Sequence, residues 1–228
     1  MKLKFGLLGA CHGHRGAHVM AASKNPDKYE LVGFHEPDPE FVKRNLEDWP
    51  RDFPGTECAA FPTAAALLDS EIEAVVVEGK VNQNIAYARQ ALAAGKHVLL
   101  EKPPGGSLAD FRELQEMARA RNLALQLAYL FRFHPDQREL VRLVRAGAFG
   151  EIFYFRAHMS KHWAWHPRLE QDFHMFKGGV YFEMAGHYLD LMVALLGEPT
   201  AVRPHLAAHY GDRKNVDNAV VVHEYGRC

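Results

Sequence analysis

The sequence predicts an α/β chain: a doubly wound parallel sheet first, then an α+β domain with an open, predominantly antiparallel sheet. Three observations predict it. Short apolar, β-branched runs alternate with helical stretches over residues 1–125, the signature of crossover-linked parallel strands. The first such run feeds directly into a glycine-bearing turn and a helix. Beyond residue 126 the rhythm changes to one long apolar helix and a few alternating strand candidates. The expected domains are therefore 1–125 and 126–228, the second reading as incomplete because its strands are too few.

Lys4 to Leu8 is the first expected strand, followed by Gly9-Ala10-Cys11-His12-Gly13-His14-Arg15-Gly16 and a helix to about Ser23. Glu30 to Phe34 is the second, ending at His35-Glu36; Asp38 caps and Pro39 begins the next helix, through Trp49. Phe61-Pro62-Thr63 leads a short helix to Leu68, and Glu73 to Val77 is the third strand, ended by Glu78-Gly79-Lys80. A helix from Asn82 to Ala94 stops at Gly95. The strand His97 to Leu100 ends at Glu101-Lys102-Pro103. Ser107 with Asp110 forms a capping box that opens a helix to about Arg121, and Leu123 to Leu130 is a further strand. In the second part a helix follows Arg132-Phe133-His134-Pro135, residues 150–158 alternate like a half-buried strand, and Val180 to Leu196 reads as a single apolar helix. Ala201 to His209 and Asn218 to Tyr225 are the last two strand candidates.

Composition narrows the function classes. At 48% hydrophobic and 24% charged, the chain of 228 residues can bury a core. A formal net charge of -1 gives no electrostatic case for nucleic acid or an anionic membrane. Three cysteines, Cys11, Cys58 and Cys228, share no metal spacing and suit a reducing compartment, so a cytoplasmic location is expected. The opening segment is too short and strand-like for a signal peptide, and no apolar run has transmembrane length.

Ligands of an open parallel sheet sit outside the carboxyl ends of the strands. Gly9 can make the tight turn there, and the following helix N-terminus offers free N–H groups to a pyrophosphate. The loop departs from the usual glycine spacing at Cys11 and His14. His12, Gly13 and His14 complete the loop, and both histidines read as polar loop residues rather than ligands. Glu36 falls where an acid takes the ribose hydroxyls and repels a 2′-phosphate, so NAD is favoured over NADP. Glu78, Glu101 and Lys102 leave two further strand ends and are expected to meet the cofactor. On the late apolar helix Glu183, His187 and Asp190 share one face, a carboxylate–imidazole pair suited to proton transfer, with Asp190 as its structural member. A metal set of Glu183 and His187 with His162, His166 or His174 lacks a paired-ligand spacing, so no metal is expected. Trp163 and Trp165 read equally as a stacking platform for a sugar or as core.

The blocks Ala94 to Pro103, Arg132-Phe133-His134-Pro135 and Gly178-Gly179 through Gly186-His187-Tyr188-Leu189-Asp190 resemble the Gfo/Idh/MocA oxidoreductases, a family named for glucose–fructose oxidoreductase, inositol dehydrogenase and a rhizopine-catabolism protein. The resemblance implies a Rossmann domain, a substrate domain with a large open sheet, and NAD(P)-linked oxidation of a sugar, polyol or related small molecule. It implies Lys102 as the group that orients the substrate hydroxyl, His187 as the acid–base and Glu183 as its carboxylate partner. Arg132, His134, Trp163, Trp165 and His187 become the expected substrate contacts. Asn84 stands where many members carry histidine, and Glu78 and Lys80 where small residues or proline line the nicotinamide. Family members run longer than this sequence and commonly pair through the open sheet, so self-association is expected. NAD-dependent glycoside cleavage and a non-catalytic sensor remain the competing expectations.

Overall fold

The computed structural model describes residues 2–160, 178–209 and 216–226. They fall in two compact units, residues 1–128 and 129–228.

The first unit is built on strands β1 (Leu3–Leu8), β2 (Tyr29–His35), β3 (Ala59–Ala60), β4 (Ala74–Val77), β5 (His97–Leu100) and β6 (Leu125–Leu127). All pair in parallel, in the spatial order β3-β2-β1-β4-β5-β6. The order reverses direction between β1 and β4, and the crevice at such a switch point is where a doubly wound sheet takes its ligand. The helices are α1 (Arg15–Lys24), α2 (Pro39–Asp52), α3 (Ala64–Leu68), α4 (Val81–Ala93) and α5 (Leu108–Ala120).

Both sheet faces are covered, which explains why the strands read as unbroken apolar runs. Leu7, Phe34 and Val76 pack with Val19, Ala22 and Trp49 of α1 and α2. Leu8, Val75, Val77 and Leu100 pack with Leu67, Ala88, Leu92, Leu114 and Ala118 of α3, α4 and α5. The helix starts follow their local signals. The side chains of Asp38, Thr63 and Ser107 accept hydrogen bonds from the backbone N–H of Glu40, Ala66 and Asp110 at 3.0, 3.0 and 3.2 Å. Gly95, at φ +76°, ends α4. The strand β3 carries no signal of its own; two alanines pair with Gly33 and Phe34 only because the fold brings them alongside β2.

The second unit begins with a 3₁₀ turn at Leu130–Phe133 and α6 (Pro135–Arg145), and continues with α7 (Gly179–Met184), α8 (Gly186–Leu196) and the antiparallel pair β7 (Ala201–Ala207) and β8 (Asn218–Glu224). Two expectations are corrected. The helix expected over 180–196 is interrupted at Ala185, whose carbonyl accepts from both Tyr188 and Leu189 at 3.0 and 2.8 Å, a local tightening into a 3₁₀ turn. The alternating residues 150–158 form no strand, since an extended segment needs a hydrogen-bonded neighbour and the described residues supply none; Phe153 is 84% exposed. No helix among the described residues is long and apolar enough to cross a membrane.

Candidate active site

The carboxyl edge of β1, β2, β4 and β5 carries most of the residues singled out from the sequence. Gly9 leaves β1 at φ +72°, and a Cβ there would lie 2.3 Å from Gly79 Cα. Only glycine lets the loop cross so close to the end of β4. The loop is then tied down on all sides. The Gly9 N–H donates to His35 O at 2.9 Å and the His12 N–H to Glu78 O at 3.1 Å. Asn45 of α2 donates from Nδ2 to Ala10 O at 2.9 Å. Arg15 donates from Nη1 to His12 O and from Nε to Asn45 Oδ1, both at 2.9 Å. Arg15, Asn45 and His18, described below, escaped the sequence reading. Their signal was faint: one turn of α1 and a single asparagine on α2.

Glu36 is buried and each of its oxygens is engaged: Oε2 accepts from Ala10 N at 2.7 Å and Oε1 from Asp38 N at 3.0 Å. A carboxylate oxygen has a second lone pair, so capacity for two hydroxyl donors remains. Cys11 is half-buried; burial first, then the nearby charge of Glu36, pushes its thiol up to about 12. Asn84, in the first turn of α4, is 1% exposed, and neither atom of its amide has a hydrogen-bond partner among the described residues. A buried orphan amide at this edge is a ready group for a polar ligand.

Glu78 and Glu101 gather three histidines. Glu78, 0% exposed, meets His12 Nδ1 at 3.0 Å through Oε2 and His18 Nε2 at 2.8 Å through Oε1. Burial opposes its ionisation, but the hydrogen bonds from His12 and His18 outweigh it and hold the carboxyl well below its ordinary value. An ionised Glu78 makes both facing ring nitrogens donors. The 3.4 Å approach of the His14 N–H to His12 Nδ1 is therefore not a competing bond. His14 Nδ1 lies 3.1 Å from Glu101 Oε1, and that hydrogen bond raises the imidazole pKa against the opposing effect of burial. The His12 and His14 rings meet edge to face at 4.7 Å. Lys102 follows Glu101 and is 5% exposed. A hollow lined by Lys2, Tyr29, Glu30 and Glu71 lies at the opposite, amino edge of the sheet, away from this chemistry.

In the second unit His187 stacks on Phe131 at 4.8 Å and meets Tyr129 edge-on at 5.9 Å. Glu183, four residues earlier, is 3% exposed. Arg132, an expected substrate contact, is committed to Asp190: its Nε donates to Oδ2 at 2.9 Å and its Nη2 to Oδ1. His134, another expected contact, stands at the N-cap position of α6 without a side-chain capping hydrogen bond and lies 3.7 Å from Asp136. Trp163 and Trp165, with His162, His166 and His174, lie outside the described residues.

Comparison with known proteins agrees with this architecture. Residues 3–129 match the model of an oxidoreductase family with an NAD-binding Rossmann fold, and residues 137–227 match a GFO/IDH/MocA C-terminal domain. The dTDP-3,4-didehydro-2,6-dideoxy-alpha-D-glucose 3-reductase of Streptomyces violaceoruber is 35% identical over 67% of this chain and 44% of its own length. Oxidoreductase YdgJ of Escherichia coli (strain K12) is 26% identical over 90% of this chain and 57% of its own. Among solved structures, UDP-N-acetylglucosamine 3-dehydrogenase GnnA from Acidithiobacillus ferrooxidans is 26% identical with a TM-score of 0.72, covering 97% of this chain and 63% of that one. The chain spans about half the length of the curated relatives it matches. With a six-stranded sheet in the order β3-β2-β1-β4-β5-β6, a glycine turn at its switch point and both family models matched, the chain belongs to the Gfo/Idh/MocA family of NAD-binding oxidoreductases.

Proposed function

We propose that the protein is an NAD-dependent oxidoreductase acting on a secondary hydroxyl or ketone of a sugar, polyol or sugar nucleotide. The observation that carries this reading is the carboxyl edge itself: the Gly9 turn, the Glu36 carboxylate and the buried Lys102 follow β1, β2 and β5 along the same edge of one sheet. The residues suit a dinucleotide. Gly9 keeps side-chain atoms out of the turn, and the α1 N-terminus supports a pyrophosphate. Glu36 accepts ribose hydroxyls while its charge disfavours a 2′-phosphate. The buried Asn84 amide, neither atom of which is bonded among the described residues, suits a carboxamide. Bound nicotinamide supplies the hydride exchange.

The chain supplies position and proton handling. The Lys102 ammonium holds the reacting oxygen and stabilises its alkoxide character. The His187 imidazole, fixed between Phe131 and Tyr129, takes or returns the hydroxyl proton, with Glu183 tuning it. Two relatives support the substrate class, since the Streptomyces reductase and the Acidithiobacillus dehydrogenase, 32% identical over 71% of this chain, are both named for position 3 of a nucleotide-linked hexose. Val202 and Leu206 lie exposed on one face of the β7–β8 pair and Val220 and Val222 on the other, so either face offers apolar surface to a second copy, which sedimentation would read as a dimer.

The test is calorimetric titration with NAD, followed by absorbance of reduced nicotinamide against dTDP- and UDP-hexoses and free polyols. Lys102→Ala and His187→Ala should each lower kcat by about 100-fold or more, and His187→Ala should leave NAD affinity in place. Absence of NAD binding together with absence of turnover across the panel refutes the reading.

A further inference from the structure

We propose that the glycine loop carries a divalent transition-metal site of the zinc class, formed by His12, His14 and Glu101, with His18 and Glu78 as its adjoining carboxylate–histidine pair. The donor atoms of His12, His14 and Glu101 lie within 4.8 Å of one another, and so do those of His18, Glu78 and Glu101. The two sets share Glu101, so five donor residues converge on one place at the carboxyl edge. Two imidazoles and one carboxylate are a ligand set that suits zinc, cobalt or iron and leaves a coordination position open.

Three features separate this cluster from a chance meeting of polar side chains. The carboxylates are fixed by the fold: Glu78 and Glu101 are 0% and 2% exposed and each directly follows a strand. Glu78 holds Nδ1 of His12, the outer-shell arrangement that sets the tautomer of a metal-bound histidine and leaves its other nitrogen as the lone-pair donor. Two buried carboxylates also require compensating positive charge. A divalent ion bound beside them supplies it. About 2.0–2.2 Å to each ligand brings the donors around a bound ion within about 3.5 Å of each other, a separation that His14 Nδ1 and Glu101 Oε1 already meet at 3.1 Å. The third small-residue position of a dinucleotide fingerprint is here occupied by His14, so the ion would border the pyrophosphate subsite.

The inference stands independently of turnover. The full chain, stripped with chelator, is titrated with cobalt(II) and with zinc(II) by calorimetry, with visible absorption recording the cobalt coordination. The expected result is one cobalt per chain with nitrogen–oxygen ligand bands. Glu78→Gln should weaken binding about 10- to 100-fold as an outer-shell change. His14→Ala and Glu101→Gln should weaken it by more. His14 is half-exposed, so its variant should keep the parent circular dichroism and melting profile even if Glu101→Gln does not. No stoichiometric cobalt in the parent protein, or unchanged affinity in correctly folded His14→Ala, overturns the proposal. An NAD titration of the stripped protein, run alongside, reports on the dinucleotide site separately.

Discussion

Replacing Gly9 by alanine tests how tightly the loop is drawn onto the sheet. The added Cβ would stand 2.3 Å from Gly79 Cα and 2.4 Å from Gly79 N, both backbone atoms that cannot rotate aside. Non-bonded carbons prefer about 3.5–4.0 Å, so the loop or the end of β4 must move by more than about 1 Å. The left-handed backbone at φ +72° adds about 1–2 kcal/mol for any side chain, and relief of the clash about 1–3 kcal/mol more. The total, about 2–5 kcal/mol, is a large part of a typical domain's stability. The same movement pulls Ala10 from Glu36 and His12 from the Glu78 carbonyl. Urea unfolding followed by Trp49 fluorescence reads the loss, because Trp49 is buried against Phe34 at 4.9 Å in this unit. The chain has three tryptophans, so Trp163→Phe and Trp165→Phe leave Trp49 as the reporter. The control is Gly13→Ala in the same loop. A Cβ at Gly13 meets nothing within 4 Å, and its φ is not in the left-handed region. It should be neutral or stabilise by up to about 1 kcal/mol. Equal midpoints for the two variants, or greater damage at Gly13, would refute the reasoning.

Further outcomes follow from the same geometry. The Glu78 carboxyl is depressed in the folded state, so it contributes stability that is present above the ordinary carboxylate pKa of 4.5 and lost as pH falls toward about 2; Glu78→Gln should flatten the acid limb of the stability profile of chelator-treated protein. Thiols held near pKa 12 rather than 9 carry about 1,000-fold less thiolate, so Cys11 and Cys58 in a Cys228→Ser background should resist alkylation at pH 8 until urea is added. Arg132→Ala should cost about 1 kcal/mol of stability, because Asp190 loses a two-pronged partner, with little change in KM; a large rise in KM would restore Arg132 to the substrate contacts.

What was legible in the sequence is what local chemistry encodes. Unbroken apolar strands at Lys4 to Leu8 and Ala74 to Val77 declared a sheet covered on both faces. Asp38 with Pro39, Thr63, Ser107 and Gly95 marked helix ends within a residue or two. The strand β3, two alanines without β-branching, exists only through its neighbour Gly33. The break before Gly186 was hidden in an apolar run. Gly186 there packs where a Cβ would lie 2.8 Å from the Tyr129 ring, a long-range contact that no local pattern records. The alternation of residues 150–158 was real in sequence but had no partner strand among the described residues to express it. At the site, strand-end positions of Glu36, Glu78, Glu101 and Lys102 could be read from topology rules alone. The joining of Glu78 to His12 and His18 could not, because those pairs are separated by 66 and 60 residues and no short-range pattern records them.

Glu36 is at once a candidate selector of coenzyme and a brace for the loop, through Ala10 N and Asp38 N. Anyone redesigning this protein to run on the phosphorylated coenzyme would start by exchanging Glu36 for a small or basic residue. That single exchange also removes the acceptor on which the turn is hung. A successful redesign must therefore install a second, compensating acceptor for the Ala10 amide, and coenzyme preference and loop integrity have to be engineered together.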